Sequence, residues 1–241
     1  MPVLITPGAF TRASSFQRLA DRLGAHIVER PRPRFTQLDT GGFDAVAAEL
    51  DSATVAARDD GTPLVLIGHS MGGLLCYRAG LARRIDGQVL LMPAPPEGLA
   101  SDIGRLALRD PISALKFLIT GISAAPVRAG WVAPPRGLFS TDASPDELEA
   151  AKDHRADESM IALLQLLIGS RTSVREATVP TLVVGGTQDG LVPPGRVRLL
   201  AERLGAEHRE FDVAHNFSEE RKGIIVEEAV EAWLREHALL G

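Results

Sequence analysis

Cysteine is almost absent from this 241-residue chain, which contains Cys76 alone. A single cysteine cannot form an internal disulfide, so we expect Cys76 to pack as a small apolar side chain in a protein compatible with the reducing cytoplasm. Long apolar runs are also missing, and Met1-Pro2 leads straight into a short strand-like run. We therefore predict neither a membrane span nor a signal peptide.

Motifs that hold metals or nucleotides are missing as well. The chain has no Cys/His cluster, no His-Glu-x-x-His and no glycine-rich phosphate loop that ends in Gly-Lys, so we expect no metal and no cofactor. Its net charge is −5 and it has no basic stripe, which gives no reason to expect a nucleic-acid partner. The basic cluster at 30–34 is interpreted as a solvated loop in preference to an anion site.

What the chain does contain is an alternation of short apolar runs and helical patterns, with 45% hydrophobic residues. The length suits one domain with a buried core. Strand-like runs recur at 3–5, 25–29, 64–67, 88–92, 181–185 and 208–213. Helical patterns lie between most of them, at Ser15–Leu23, Phe43–Ala57, Met71–Arg84, Pro194–Leu204 and Ser218–His237. This alternation predicts an α/β fold with a doubly wound, mostly parallel sheet.

Ser70 occupies the most informative segment, Gly-His-Ser-Met-Gly-Gly at 68–73. A buried strand precedes this segment and a helix follows it, which is typical of a nucleophile elbow. The serine must stand on a sharp turn, and a side chain at Gly68 or Gly72 would collide with the neighbouring strand or helix. The alternative, a glycine-rich helix start with a serine N-cap, is the weaker interpretation in this context. We predict that Ser70 is the nucleophile.

A serine nucleophile needs a base, and the base needs an acid that orients it. Asp189 lies in the loop after the strand at 181–185, and His215 lies in the loop after the strand at 208–213. Both positions follow the carboxyl ends of strands, where open parallel sheets bind their ligands. The order Ser70, Asp189, His215 predicts a catalytic triad.

Each triad partner also has a plainer interpretation. Asp189 stands beside Gly190, and Asp-Gly is a common turn pair. His215 could instead cap the helix that begins near Ser218. Among the other histidines, His69 belongs to the elbow, and we expect its ring to pack beside the turn.

A tetrahedral oxyanion requires preorganised hydrogen-bond donors. The backbone N–H of Met71, the residue after the nucleophile, is the first expected donor. The second should come from the loop after the first strand, where Gly8 permits a sharp bend. We expect the N–H of Ala9 to be that donor, with Phe10 as the alternative.

Taken in order, these segments resemble the serine-nucleophile branch of the α/β-hydrolase superfamily over essentially the full length of the chain. The loop after the first strand, the elbow, Gly-Gly-Thr-Gln-Asp and Ala-His-Asn-Phe all follow in the family's order. The chain departs from many relatives by Pro7-Gly8 in place of His-Gly, and by Ala214-His215 in place of Gly-His. The family often begins with two more antiparallel strands, which we expect to be absent here, leaving a sheet edge that is exposed or covered by a helix or a partner.

The same resemblance implies a helical lid between the fourth and fifth strands. We expect a core formed by 1–96 and 179–241 and a cap or lid insertion at 97–178. Within the insertion, a helix is predicted from about Pro145 to Ser170, apolar almost all round and buried on more than one side. Leu, Ile, Met and Phe side chains of the lid are expected to line an apolar pocket, including the set repeated at helical spacing, Ile112, Leu115, Leu118 and Ile119.

The resemblance implies an oxyanion-stabilised acyl transfer, and we expect hydrolysis of an apolar small-molecule ester or thioester through an acyl-enzyme. Serine at position 70 argues against the haloalkane dehalogenase and epoxide hydrolase branches, which use aspartate there. Two alternatives stay open: a lyase or biosynthetic cyclase that keeps the triad, and a ligand-binding receptor on the same fold. The residues leave open the acyl chain, the leaving group, the choice among ester, thioester and lactone, and the oligomeric state.

Overall fold

The protein is described by a computed structural model covering residues 2–29, 42–57, 63–82, 85–135, 137–169 and 173–240. The basic cluster at 30–34 lies outside these residues. Six described strands form one sheet in the spatial order β2-β1-β3-β4-β5-β6. Their bounds are β1 Val3–Thr6, β2 His26–Ile27, β3 Val65–His69, β4 Gly87–Leu91, β5 Thr181–Gly186 and β6 Glu207–Phe211. Each pairing between neighbouring strands of this sheet is parallel, which confirms the predicted fold class.

Ten described helices accompany the strands. They are α1 Gln17–Leu23, α2 Gly42–Ala57, α3 Met71–Ala82, α4 Ala100–Arg109, α5 Pro111–Ile122, α6 Ala125–Arg128, α7 Pro145–Ala150, α8 Met160–Ile168, α9 Pro194–Leu204 and α10 Ile224–Glu236. The helix predicted at 15–23 begins as a 3-10 turn, and the one predicted at 218–237 begins with two 3-10 turns before α10. None of the described helices is long and apolar enough to cross a membrane.

The sheet separates two apolar layers. Alternate residues of β3 point to opposite faces, so Leu66 packs in one layer while Val65 and Ile67 pack in the other. The first layer includes residues of α2, α3 and α9, with Cys76 fully buried among them, and the second includes residues of α1 and α10. Because helices cover both faces, the central strands β3, β4 and β5 are buried over their full length and mainly apolar.

Strand register brings four loops together at one edge of the sheet. Thr6 lies opposite Gly68, His69 opposite Leu91, and the last residue of β5 opposite the last residue of β6. The loops that follow β1, β3, β5 and β6 therefore open at the same edge, where an open parallel sheet binds its ligands.

The prediction of one helix from Pro145 to Ser170 is wrong. The structure has α7, then a 3-10 turn at Ala151–His154, then extended residues, then α8. The chain leaves helical geometry because Arg155 forms an antiparallel bridge with Thr11, and two backbone hydrogen bonds of 2.9 Å flank that bridge. Pairing with the loop after β1 thus overrides local helix propensity.

Burial of the apolar residues in this region also differs from the prediction. On α8, Met160, Leu164 and Ile168 are 48%, 53% and 75% exposed, so the helix is not buried on several sides. On α5, Ile112 and Leu115 are 69% and 56% exposed. These side chains lie on the outer faces of α5 and α8. Other residues of the two helices line the cavity described below.

Candidate active site

Ser70 stands on a strained turn between β3 and α3. Its φ is +53°, in the left-handed region that non-glycine residues rarely adopt. A Cβ at position 68 would overlap the backbone of Gly72, and a Cβ at position 72 would overlap the carbonyl of Thr6. Glycine is therefore required on both sides of the serine, for the steric reason that the sequence suggests.

His215 and Asp189 form a buried pair. Nδ1 of His215 lies 2.7 Å from Oδ2 of Asp189, and the two residues are 3% and 5% exposed. The other carboxylate oxygen accepts the N–H groups of Leu191 and Val192, each at 2.8 Å. Asp189 therefore closes a turn and pairs with the imidazole at the same time. The turn role and the predicted pairing with His215 do not exclude each other. Because a carboxylate can only accept, Nδ1 carries the proton and Nε2 of the neutral ring keeps a lone pair.

Asp212, which follows β6 closely, is the nearest alternative acid in the sequence. Its carboxylate accepts from the side chains of Gln188 at 2.8 Å and Thr187 at 3.1 Å, and lies 3.8 Å from the ammonium of Lys222. The hydrogen bond from Gln188 contributes most to lowering the pKa of this exposed carboxyl. Asp212 thus bonds the loop after β5, whereas Asp189 is the carboxylate that bonds His215.

Ser70 and His215 line one cavity, whose wall also includes residues of 97–178, the stretch between β4 and β5 that is called the insertion below. Ala9 and Phe10, the candidate oxyanion residues, line it too. The rest of its wall is mainly apolar and includes Leu99, Ile103, Phe117, Leu118, Leu138, Phe139, Leu163, Leu166 and Leu167. Of the predicted set on α5, Leu118 belongs to this wall although it is 60% exposed, whereas Ile112, Leu115 and Ile119 do not belong to it.

Two cations, Lys152 and Arg155, are the charged residues in the described wall. Lys152 is paired with the exposed carboxylate of Glu149. Arg155 is paired with the buried carboxylate of Glu219, which also accepts from the hydroxyl of Ser15 at 2.9 Å. Because both cations have acidic partners, the cavity remains a largely apolar surface.

One expected oxyanion donor, Met71, lies in the elbow, and the other, Ala9, lies in the loop after β1. Met71 is the first residue of α3, and the first N–H groups of a helix have no intrahelical acceptor. The loop after β1 presses on the elbow, because a Cβ at Gly8 would lie 2.9 Å from the Cβ of Ser70. Phe10 adopts a positive φ of +59° in this loop. The assignment of Met71 and Ala9 as donors stays a prediction.

Gly137 belongs to the insertion and contacts two loops of the site, which no motif of the sequence indicates. Its carbonyl accepts the N–H of Gly190, beside the acid, at 3.1 Å, and the N–H of His215 at 3.4 Å. Leu138 extends this contact by accepting the N–H of Asn216 at 2.8 Å. No local pattern predicts these contacts, because Gly137 is far from both loops in the sequence.

Comparison with protein-family models gives one match for most of the chain. The model described as "Alpha/beta hydrolase family" matches residues 3–228. Among solved structures, an esterase from Exiguobacterium antarcticum superposes with a TM-score of 0.73 at 15% identity, covering 98% of this chain and 92% of that one. At that identity, the superposition shows the fold alone.

Two curated relatives are similar in sequence. A monoacylglycerol lipase of Mycolicibacterium smegmatis is 24% identical over 200 residues, which cover 76% of this chain and 66% of the relative. A protein of Schizosaccharomyces pombe is 25% identical over 222 residues, covering 83% of this chain and 54% of the relative. The matched part of the chain therefore spans about half to two thirds of these relatives' length.

Proposed function

Because the chain belongs to the alpha/beta hydrolase family, we propose that it is a serine hydrolase of carboxylic esters or thioesters. The observation that carries this proposal is the buried His215–Asp189 pair, of which His215 lines the same cavity as Ser70 on its strained elbow. The relatives that are named as a lipase and an esterase support the same reaction class.

In the proposed reaction, the hydroxyl of Ser70 attacks the acyl carbon while Nε2 of His215 takes its proton. Asp189 keeps the other ring nitrogen protonated and stabilises the imidazolium that forms. The N–H groups of Met71 and Ala9 bind the oxyanion. The imidazolium then protonates the departing alcohol or thiol, and a water molecule activated by His215 releases the acid and regenerates Ser70.

For the substrate, we propose an ester or thioester with an apolar group. The support is the cavity wall, whose side chains are mainly Leu, Ile and Phe and whose two cations are paired with acids. In this proposal, the insertion acts as a cap over Ser70, and the division into a core (1–96 and 179–241) and a cap (97–178) follows from it. Excluding water from the cavity would strengthen the electrostatic interactions around the acyl group.

The test combines turnover with covalent labelling. Purified wild-type protein and Ser70→Ala are assayed on p-nitrophenyl butyrate, and each is treated with an active-site phosphonate and analysed by mass spectrometry. We expect Ser70→Ala to lose activity by several orders of magnitude and to take no label, because triad members act as a unit. Ser52→Ala, on the exposed face of α2, is the matched control and should behave as wild type.

Each outcome separates the alternatives. Labelling of Ser70 without ester turnover would favour a lyase or cyclase, and neither labelling nor turnover would favour a receptor. Retention of more than about a tenth of the activity by Ser70→Ala would show that the nucleophile is another residue.

A further inference from the structure

His69 lies directly before the nucleophile, at the last position of β3, and is 2% exposed. Its ring packs against Phe16, Phe217 and the ring of His215, with centroid distances of 5.3, 6.0 and 4.8 Å. Sequence analysis expects this ring to pack beside the turn, and it does. Its Nε2, however, makes a hydrogen bond that packing alone does not require.

Nε2 of His69 lies 2.8 Å from the backbone carbonyl oxygen of His215. A carbonyl oxygen can only accept, so Nε2 carries a proton and donates it to the main chain of the base. The second nitrogen, Nδ1, is buried and has no hydrogen-bond partner among the described residues. Burial holds the pKa of this imidazole well below its usual range, and the neighbouring His215 and Arg155 lower it further, so the ring stays neutral.

The unprotonated side of the ring faces the loop after β1. A Cβ at Gly8 would lie 2.8 Å from Nδ1 of His69, so this loop fits against the ring only with glycine there. The ring therefore contacts the loop expected to supply the second oxyanion donor, and it is bonded to the loop that carries the base. In addition, His69 is joined to Ser70 by a peptide bond. The imidazole of His69 thus connects three loops of the candidate site, which are the elbow, the loop after β1 and the loop that carries His215.

We propose that His69 is a positioning residue, whose Nε2–H clamps the main chain of His215 and thereby fixes the imidazole of the base relative to Ser70. This inference rests on the proposed function. The bond joins residues 146 apart in the chain, so it links the elbow to the base loop directly and does not depend on the sheet between them. Asp189 orients the ring of His215, while His69 fixes the backbone from which that ring projects.

Three substitutions separate the donor from the ring. In His69→Gln, the side-chain amide nitrogen can take the place of Nε2 and keep the donor. In His69→Asn, the shorter amide reaches only the place of Nδ1, and in His69→Phe the ring is kept without a donor. We expect kcat to fall about 10- to 100-fold for the Asn and Phe variants, because a small misplacement of a catalytic group has an effect of this size. The KM of these two variants should stay within about twofold of the wild-type value. The kcat of His69→Gln should stay within about threefold of the wild-type value.

A spectroscopic signature accompanies the kinetics. The low-field proton resonance of His215 Nδ1–H should shift or broaden in His69→Phe and be retained in His69→Gln, since only the former frees the base loop. His208→Gln serves as the matched control, because His208 is a partly buried histidine on β6 and is not part of the cavity wall. Thermal unfolding of every variant identifies any that fails to fold. If His69→Phe is that variant, His69→Asn supplies the comparison that lacks a donor at the position of Nε2.

The proposal is overturned if His69→Phe keeps wild-type kcat, which would leave only a packing role. It is equally overturned if His69→Gln loses as much kcat as His69→Phe, because the donor would then be irrelevant. Ser70→Ala in the same assay distinguishes the two levels of inference. If that variant stays active, the proposed function itself fails, and if it is inactive while His69→Phe is unaffected, only the role of His69 fails.

Discussion

Asp189 uses its two carboxylate oxygens for different tasks, which makes the tasks separable by substitution. In Asp189→Asn, the amide oxygen can still close the turn, but the NH2 group would face Nδ1 of His215 and force the unproductive tautomer. We expect kcat to fall about 10³- to 10⁴-fold, less than for Ser70→Ala, with the melting temperature nearly unchanged.

Asp189→Ala should show the same kinetic loss together with a lower melting temperature, because the N–H groups of Leu191 and Val192 lose their acceptor. Asp212→Asn is the control and should leave kcat unchanged, since that carboxylate bonds Gln188 and Thr187. If Asp212→Asn lowered kcat as much as Asp189→Asn, the assignment of the acid would be wrong.

Cys76 offers a residue-scale test of the buried core. Burial raises the pKa of its thiol to about 12, because the thiolate is disfavoured in an apolar layer. The thiolate is the reactive form, so at pH 8 the native protein should react with a disulfide reagent far more slowly than the unfolded chain. The same reagent in guanidinium should titrate one thiol at once. Rapid titration of the native protein would mean that α3 is not buried as described.

At the scale of elements, the sequence predicted strands and helices well where periodicity and packing agree. The strand-like runs before Ser70, Asp189 and His215 became β3, β5 and β6, with shifts of one or two residues at their ends. The prediction was less accurate at the sheet edge, because the run at 25–29 contributes only the two residues of β2. The helix predicted at 145–170 failed because Arg155 pairs with Thr11, which lies some 140 residues earlier in the chain and leaves no local signal.

Gly137 allows the insertion to be tested as a support of the site. Its φ is +82°, and a Cβ there would overlap the backbone of Gly190. Gly137→Ala should therefore push the insertion away from both loops whose N–H groups its carbonyl accepts, those of Gly190 and His215. We expect kcat to fall at least about tenfold, because a shift of the loop that carries His215 would misplace the base relative to Ser70.

The matched control for this change is Gly104→Ala on α4, where a Cβ meets open space. It should leave kcat unchanged and raise helix stability by up to about 1 kcal/mol. Equal activity of Gly137→Ala and wild type would mean that the insertion does not constrain the site. Steady-state kinetics and thermal unfolding of both variants supply the comparison.

At the scale of the whole molecule, the site is assembled from segments that the chain order keeps far apart. The positions of Ser70, Asp189 and His215 at this edge could be predicted from the sequence, because each follows a strand and the carboxyl ends of parallel strands meet at one edge. The contacts of His69 and Gly137 with the base loop could not be predicted, since those depend on how the loops pack above the sheet. The positions of the strand ends therefore predict which residues reach the site. The distances between those residues depend on tertiary packing.

The mainly apolar wall of the cavity predicts a dependence on acyl-chain length. Burying one methylene contributes ~0.8 kcal/mol, so each carbon that reaches the apolar wall should raise kcat/KM about fourfold until the cavity is full. The measurement is kcat/KM for p-nitrophenyl esters from acetate to octanoate. Leu167 and Leu164 on α8 provide a matched pair, because Leu167 lines the cavity and Leu164 is 53% exposed.

Truncation of these two leucines should therefore have different effects on the same series. Leu167→Ala removes wall from the cavity, so kcat/KM for mid-length esters should fall and the best chain length should shift towards longer esters. Leu164→Ala should leave the profile unchanged, because its side chain lies on the outer face of α8. A profile that falls steadily from acetate, or identical profiles for the two variants, would show that these leucines only pack the insertion. In that case the acyl group would bind elsewhere, and the apolar wall would serve stability and not specificity.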